Sequence, residues 1–298
     1  MTQINATSGC FSVRKGLTKD NVIVDSDAGV LRVLTYLPHH QLFLVHLQLA
    51  EAVLAQAAVV RVGATSGKIE LDLAKESGQR WRTLGTPLDR HLWCGDRKVN
   101  TAPNCLCPLT IMLQDVPVTY RPWTVSATRH VTHNTIHLVL APPATCHQHV
   151  PPGHHVQLRA VIEDTEIVRS YTPVTQLTPG SGPAGAGLQF LVKIYPETGA
   201  LTPHLASLRP GAEISVSDTL LSGTFSAAHL PDSADSLVTL LAAGTGLTPM
   251  IPILASLQSR KQRPRLRLIT FDTNVRDIIW KDEVCIFCFF KHHGEFVT

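Results

Sequence analysis

Ile167-Val168-Arg169-Ser170-Tyr171-Thr172-Pro173-Val174 is the stretch from which the rest of this chain is read. The apolar pair Ile167-Val168 reads as the end of a strand. Pro173 fixes φ and with it the direction of the preceding side chains. Arg169 presents a planar fork of donors that suits a diphosphate. Tyr171 presents a flat ring with a hydroxyl, and Thr172 a short hydroxyl that reaches a polar ring edge. A cationic fork, an aromatic face and a short donor suit a flat, phosphate-bearing cofactor. Taken alone, the six residues from Arg169 read as one more strand with a charged surface residue.

Two later stretches change that reading. The first is Val192-Lys193-Ile194-Tyr195 followed by Gly199-Ala200-Leu201-Thr202. Thr202-Pro203 reads as an N-cap and a first helical proline, opening a short helix over residues 204–208. Free N–H groups at such a start form an anion site. The second is Ala242-Ala243-Gly244-Thr245-Gly246-Leu247-Thr248-Pro249-Met250. Leu237 to Ala242 reads as a continuous apolar strand, Gly244-Thr245-Gly246 as a tight turn, and Thr248-Pro249 as the opening of a helix through about Leu257. Arg265 to Phe271 reads as a second strand. A glycine turn between strand and helix is the context in which a dinucleotide approaches the backbone. The whole reads as the start of a parallel, doubly wound sheet.

In this order the three stretches resemble the ferredoxin reductase superfamily, in the form used by cytochrome b5 reductases. The resemblance implies FAD as cofactor and NADH as electron donor. It places Arg169 on the diphosphate, and Tyr171, Thr172 and Val174 against the isoalloxazine and ribityl parts. It places Gly199, Ala200, Leu201 and Thr202 on the diphosphate, and Lys193 and Tyr195 near flavin and pyridine nucleotide. Gly244, Thr245, Gly246, Thr248 and Pro249 are implied on the nucleotide side, with Thr248 bridging toward the flavin. Thr172 and Lys193 are the expected catalytic residues. Pro152-Gly153-His154-His155-Val156 also resembles the family, where it starts a barrel strand. The Gly-Pro-x-Gly that often precedes the last barrel strand is missing from residues 218–225, so Gly223 and Phe225 are poor candidates for adenine contacts.

Toward the N-terminus the pattern alternates. Val22-Ile23-Val24, Leu31 to Leu34, Leu42 to Val45 and Lys68 to Leu73 are strand candidates, while residues 50–58 pass for a helix by composition. In Gly67-Lys68-Ile69-Glu70-Leu71-Asp72-Leu73-Ala74-Lys75, three apolar residues line one sheet face, and Trp81 follows as a cap to the sandwich edge. This resembles the last strands of a CS domain, the β-sandwich of p23-like co-chaperones, read as starting inside the domain. The combination resembles the cytochrome b5 reductases that join a cytochrome b5 domain, a CS domain and a reductase. It covers roughly residues 20–92 and 119–283. Two departures stand out: no His-Pro-Gly-Gly haem motif is present, and the nucleotide domain breaks off after Asp277-Ile278-Ile279-Trp280.

The fold class expected is therefore multidomain β plus α/β. Residues 1–92 form a CS-like β-sandwich and 93–118 a linker. Residues 119–232 form an antiparallel FAD-binding β-barrel. Residues 233–298 form a truncated doubly wound NAD-binding domain with a divergent tail, whose apolar run Val284 to Phe290 covers part of its open face. Net charge is +3 and no basic run exists, which argues against nucleic acid. The most apolar stretch, residues 42–62, is interrupted by charged and polar residues and is not read as a membrane span. Seven cysteines are scattered, and no signal region precedes them, so reduced thiols in a cytoplasmic protein are expected, with endoplasmic-reticulum association implied by resemblance. No metal is expected. Cys105-x-Cys107 has the wrong spacing, a barrel strand accounts for His154 and His155 and surface polarity for Cys146, His147 and His149, and Cys285-x-x-Cys288 with His292 and His293 lacks a frame. Three functions compete. One is a reductase passing electrons from NADH through FAD to a cytochrome b5-type haem partner. The second is a catalytically weak form with impaired NADH binding, in which the CS-like unit binds a protein partner. The third is a truncated product without stable activity.

Overall fold

The computed structural model describes residues 6–12, 15–37, 41–56, 58–77, 81, 83–88, 109–112, 117–175, 187–221, 230–231, 233–284 and 295–297. The strands in chain order are β1 (Ala6–Ser12), β2 (Val22–Asp27), β3 (Val30–Leu37), β4 (Gln41–Leu49), β5 (Val59–Gly63), β6 (Lys68–Ala74), β7 (Gly85–Pro87) and β8 (Leu109–Met112). They continue as β9 (Tyr120–Thr132), β10 (Thr135–Ala141), β11 (Cys146–His147), β12 (His154–Ile162), β13 (Thr165–Tyr171), β14 (Leu188–Lys193), β15 (Glu213–Ser217), β16 (Leu220–Leu221), β17 (Leu237–Ala243), β18 (Arg265–Phe271) and β19 (Glu295–Val297). Among the described residues there are two α-helices, α1 (Leu201–Ser207) and α2 (Leu247–Gln258). The chain forms two compact units, one of residues 1–119 with 143–149, the other of residues 120–142 with 150–298.

The first unit is a β-sandwich. One sheet has the order β1-β6-β5; the other runs β11-β2-β3-β4-β7, with β8 also paired to β4. Val22, Val24, Leu31, Val33, Val45 and Leu47 of the larger sheet meet Val60, Ile69, Leu71 and Leu73 of the smaller in one core, and Trp81 packs against it. Burying each such aliphatic side chain stabilises the unit by about 1.5–3 kcal/mol. Four details depart from expectation. A strand lies upstream of those read from the sequence, β1, which pairs antiparallel with β6. Residues 50–56 are not helical, because their N–H and C=O groups are taken by the chain leaving β6: Leu54 N–H donates to Ala74 O at 2.8 Å, and Glu76 N–H to Ala52 O at 3.3 Å. Leu109–Met112, inside the stretch read as linker, pairs with β4. Cys146–His147, read as polar surface, pairs with β2, which buries Cys146.

The second unit carries an antiparallel sheet of order β13-β12-β15-β9-β10-β14, with β16 paired to β12. Trp123, Ile136, Leu138, Leu158 and Phe190 fill its interior. Just past β13, Val174 makes an antiparallel bridge to Gln189 of β14, its N–H donating to Gln189 O at 2.7 Å. The two ends of the strand order thus meet, and the sheet closes into a barrel at that corner. Beyond the barrel, β17, β18 and β19 form a parallel sheet in that order. Val238, Leu240 and Ala242 alternate toward α2 and pack with Ile251, Leu254 and Leu257, joined by Ile279, Trp280 and Val284. Glu295–Val297 adds a third strand to a sheet expected to have two; its three residues, Glu-Phe-Val, are too few to show a strand period in the sequence. Residues 285–290, expected to cover the open face of this sheet, and Cys105, Cys107, Gly223, Phe225, Cys285, Cys288, His292 and His293 lie outside the described residues.

Candidate functional site

Arg169 and Tyr171 sit at the end of β13, where the chain crosses from one barrel edge to the other. Val174 lies at the seam itself, 4% exposed, and Pro173 is buried beside it. The bridge from Val174 to Gln189 and the proline together fix the backbone on which Thr172 is carried. Tyr171 packs edge-on against the buried Phe190 ring, with centroids 6.2 Å apart and planes at 78°, a geometry that aromatic pairs favour. Burial pushes the Tyr171 hydroxyl up to about 12, against a smaller opposing effect of Arg169. The phenol therefore stays neutral at working pH. Arg169 is exposed, and one of its guanidinium N–H groups donates to Val168 O at 2.8 Å, which leaves the rest of the fork to face outward.

Arg169, Ser170, Tyr171, Thr172, Lys193, Tyr195, Gly199, Ala200, Leu201, Thr202, Thr245 and Thr248 line one cavity of about 400 Å³, together with Leu191, Val192 and Thr198. That volume is in the range of small-molecule sites. Three segments far apart in the chain thus converge: the end of β13, the exit of β14 into α1, and the turn before α2. Of the residues expected at the site, Val174, Gly244, Gly246 and Pro249 do not line the cavity. Val174 is buried against the parallel-sheet core, and the other three flank the lining residues Thr245 and Thr248.

The β14–α1 wall is built differently from expectation. The helix starts at Leu201 with Ala200 as N-cap and no side-chain cap bond. The Thr202 hydroxyl instead accepts the N–H of Tyr195 at 3.1 Å, while Gly199 N–H donates to Tyr195 O at 2.9 Å. Thr202 is thus spent on the turn, and Pro203 sits in the first helical turn, where a missing N–H costs nothing. Gly199 is held tightly here. A Cβ at that position would lie 2.6 Å from Thr202 Oγ1 and 2.9 Å from Tyr195 O.

On the other wall, Gly244–Gly246 forms a single 3-10 turn with Gly244 at φ +50, and α2 follows directly. The Thr248 hydroxyl donates to Thr245 O at 3.0 Å, so it braces the turn. Nothing lies within 4 Å of a Cβ built on Gly244 or Gly246. The space above this turn is open.

The sequence reading missed Asp277. Its carboxylate, 8% exposed, lies 3.8 Å from Lys193 Nζ and 3.7 Å from His133 Nε2, and accepts from Asn134 Nδ2 at 3.1 Å. Asp272 lies close by: burial, then Asp277, push its carboxyl up, and Lys193 opposes them. Among the described residues, no group of three or more His, Cys, Asp or Glu side chains converges as a metal site would require.

An oxidoreductase FAD-binding domain model matches residues 122–221. Over 289 residues, 95% of this chain and 51% of the relative, the chain is 32% identical to cytochrome b5 reductase 4 of Xenopus tropicalis. It is 34% identical to the Homo sapiens protein of the same name, over 93% of this chain and 50% of that one. It spans about half the length of the curated relatives it matches. The solved structure of the CS-b5R domains of human Ncb5or in its NAD+ form superposes with a TM-score of 0.79 at 32% identity, covering 98% of this chain and 81% of that one.

Proposed function

We propose a function from one premise, that this chain belongs to the cytochrome b5 reductase 4 family of FAD-binding oxidoreductases, with its CS-b5R fold. In this reading the cavity holds FAD, NADH delivers electrons to it, and a cytochrome b5-type haem protein receives them. The observation that carries it is the convergence of Arg169, Tyr171, Thr172, Lys193 and Gly199 to Thr202 on one cavity beside the Gly244–Gly246 turn.

The residues present fit such a group. Arg169 offers an outward fork for a diphosphate, and Gly199, with no room for a Cβ against Thr202 and Tyr195, holds the cavity-lining turn from Tyr195 to Thr202 in place beside it. Tyr171 gives a fixed aromatic face, Thr172 and Lys193 offer a hydroxyl and a cation toward the reacting end, and Val174 secures the strand that carries them. The open turn at Gly244–Gly246 admits the pyridine nucleotide, with Thr245, Thr248 and Pro249 shaping its approach. FAD, when bound, accepts a hydride and releases electrons singly to a one-electron acceptor. The protein's part is to hold donor and acceptor rings face to face and to exclude water between them.

A second reading keeps the flavin but gives the chain weak turnover, with the sandwich unit serving to bind a protein partner. One observation favours its weak turnover: Leu237, Leu241 and Phe271 of the parallel sheet are 48%, 58% and 58% exposed, an open apolar face on the nucleotide lobe. Residues 1–92 are proposed as a CS-like unit, 93–118 as a connection, 119–232 as the flavin barrel and 233–298 as the nucleotide lobe. The proposed setting is the cytoplasm at the endoplasmic reticulum; among the described residues no helix is long and apolar enough to cross a membrane. The visible spectrum of the purified chain before and after NADH tests both readings. Flavin absorbance that bleaches within seconds supports the reductase, and slow bleaching supports the second reading. Arg169→Ala is expected to release the flavin during purification. A wild type that shows no flavin and gains none from added FAD overturns both.

A further inference from the structure

Asp277 comes from the parallel-sheet lobe, yet its carboxylate is surrounded by barrel residues. Its position is fixed by its own backbone: Asp277 N–H donates to Asn274 O at 3.0 Å, and the Asn274 side chain accepts from Arg276 N–H at 2.8 Å. The residues that follow, Ile279, Trp280 and Val284, are buried in the lobe core. On the barrel side, Lys193 is the last residue of β14 and pairs with Thr135 of β10. Asn134 precedes Thr135 in the tight turn from β9, and its carbonyl accepts the N–H of Ile194 at 2.7 Å. Lys193 and Asn134 are therefore one rigid corner.

The contact to that corner is graded. Asn134 makes a proper hydrogen bond at 3.1 Å, whereas the Lys193 ammonium stands 3.8 Å away and 21% exposed. An amide thus seats the carboxylate, and the ammonium is held by charge rather than locked. Lys193 also lines the cavity. A carboxylate so little exposed needs partners of this kind to offset its desolvation.

We propose that Asp277 is the positioning residue of this site, holding the Lys193 ammonium at the cavity wall while seating the lobe that carries the Gly244–Gly246 turn on the barrel corner at Asn134. The proposal rests on the reading of the cavity as a flavin site, because positioning has meaning only toward a bound group. Asp272 also acts on this ammonium by charge, without a direct contact.

The test uses the full chain and two readouts. The first needs no cofactor: Lys193 acetylation by an amine reagent, followed by mass spectrometry, with Lys19 and Lys75 as internal references. Asp277→Asn is expected to raise Lys193 acetylation about two- to fivefold, the size of one partly exposed ion pair that no hydrogen bond locks. Asp277→Glu is expected to restore most of the protection. Asn134→Ala keeps both charges and removes only the amide, so its rise is expected to be smaller. The second readout is stopped-flow reduction of the FAD-loaded chain by NADH. In Asp277→Asn the limiting rate per bound flavin is expected to fall about 10- to 100-fold, the cost of a small misplacement, with less change in NADH affinity. Unchanged acetylation of Lys193 overturns the proposal, as does a wild-type limiting rate in a variant that merely melts earlier. If the wild type takes up no FAD, the flavin reading has failed, and the acetylation comparison alone decides whether Asp277 holds Lys193.

Discussion

Two glycines of the site separate packing from ligand access. Gly199 has no room for a side chain, since a Cβ would meet Thr202 Oγ1, Tyr195 O and Tyr195 Cβ at 2.6, 2.9 and 3.1 Å. Gly199→Ala is expected to cost about 1–3 kcal/mol by overpacking and to lower flavin content, because the turn that carries Tyr195 must move. Gly246 has φ −60 and nothing within 4 Å. Gly246→Ala is therefore expected to leave the melting temperature within a degree or two of wild type while weakening NADH binding by about tenfold, since the added methyl stands where a dinucleotide would pass. Calorimetry and NADH titration of the two variants check this; equal NADH affinity in Gly246→Ala would remove the nucleotide from that turn. Arg169, Tyr171 and Thr172 were legible in the sequence because each carries its chemistry in its own side chain, in the right order. Asp277 was not, because its role depends on Asn134, which is 143 positions away.

Elements were legible where the apolar period was clean. β17, with its alternating exposure, and α2 follow the strand–turn–helix pattern that Leu237 to Leu257 displays. β3 is buried on both faces, with Leu31, Val33, Leu34 and Tyr36 all below a tenth exposed, so its alternation is weak in the sequence. Residues 50–58 read as a helix because alanine-rich composition ignores which partner takes the backbone groups. β10 holds a feature that composition hides altogether: His137 is 4% exposed. Its Nδ1 accepts from Arg129 Nε at 3.2 Å, so Nε2 carries the proton and donates to Gln189 at 3.0 Å, with Trp280 edge-on at 5.7 Å. Burial, and then the Arg129 charge, push the His137 ring below its ordinary range, and Gln189 opposes them. An unfolded imidazole binds its proton near pH 6.5, so below that pH the unfolded state holds more protons than the folded one. This contribution to stability is complete above about pH 6.5 and is lost progressively as pH falls. His147 and His155 shift the same way, so His137→Gln is expected to make the loss shallower without abolishing it. Melting temperatures of both proteins from pH 5 to pH 8 decide the matter, and parallel curves would acquit His137.

At the scale of the whole molecule, the chain leaves the barrel at residue 142 and returns at residue 150, and the residues between belong to the other unit. There Ser26 N–H donates to Thr145 O at 3.2 Å, and Cys146 pairs with Asp25 across β11 and β2. A boundary drawn by composition near residue 119 misses this, since Cys146-His147 offers only two residues and no period. The consequence is testable by cutting. Every residue lining the cavity lies between 169 and 248, within the second unit. A chain of residues 120–298 is therefore expected to keep flavin uptake, at an affinity within about threefold of the full chain. It also loses β2, the strand that pairs with Cys146, a thiol 4% exposed in the full chain. Its sulfur should pass from unreactive to rapidly alkylated, as measured on the tryptic peptide that contains it. Flavin uptake with an exposed Cys146 means that the second unit carries the cofactor by itself and residues 143–149 are a strap lent to the sandwich. Loss of flavin on excision would instead make the sandwich part of the cofactor's support, because no lining residue has been removed.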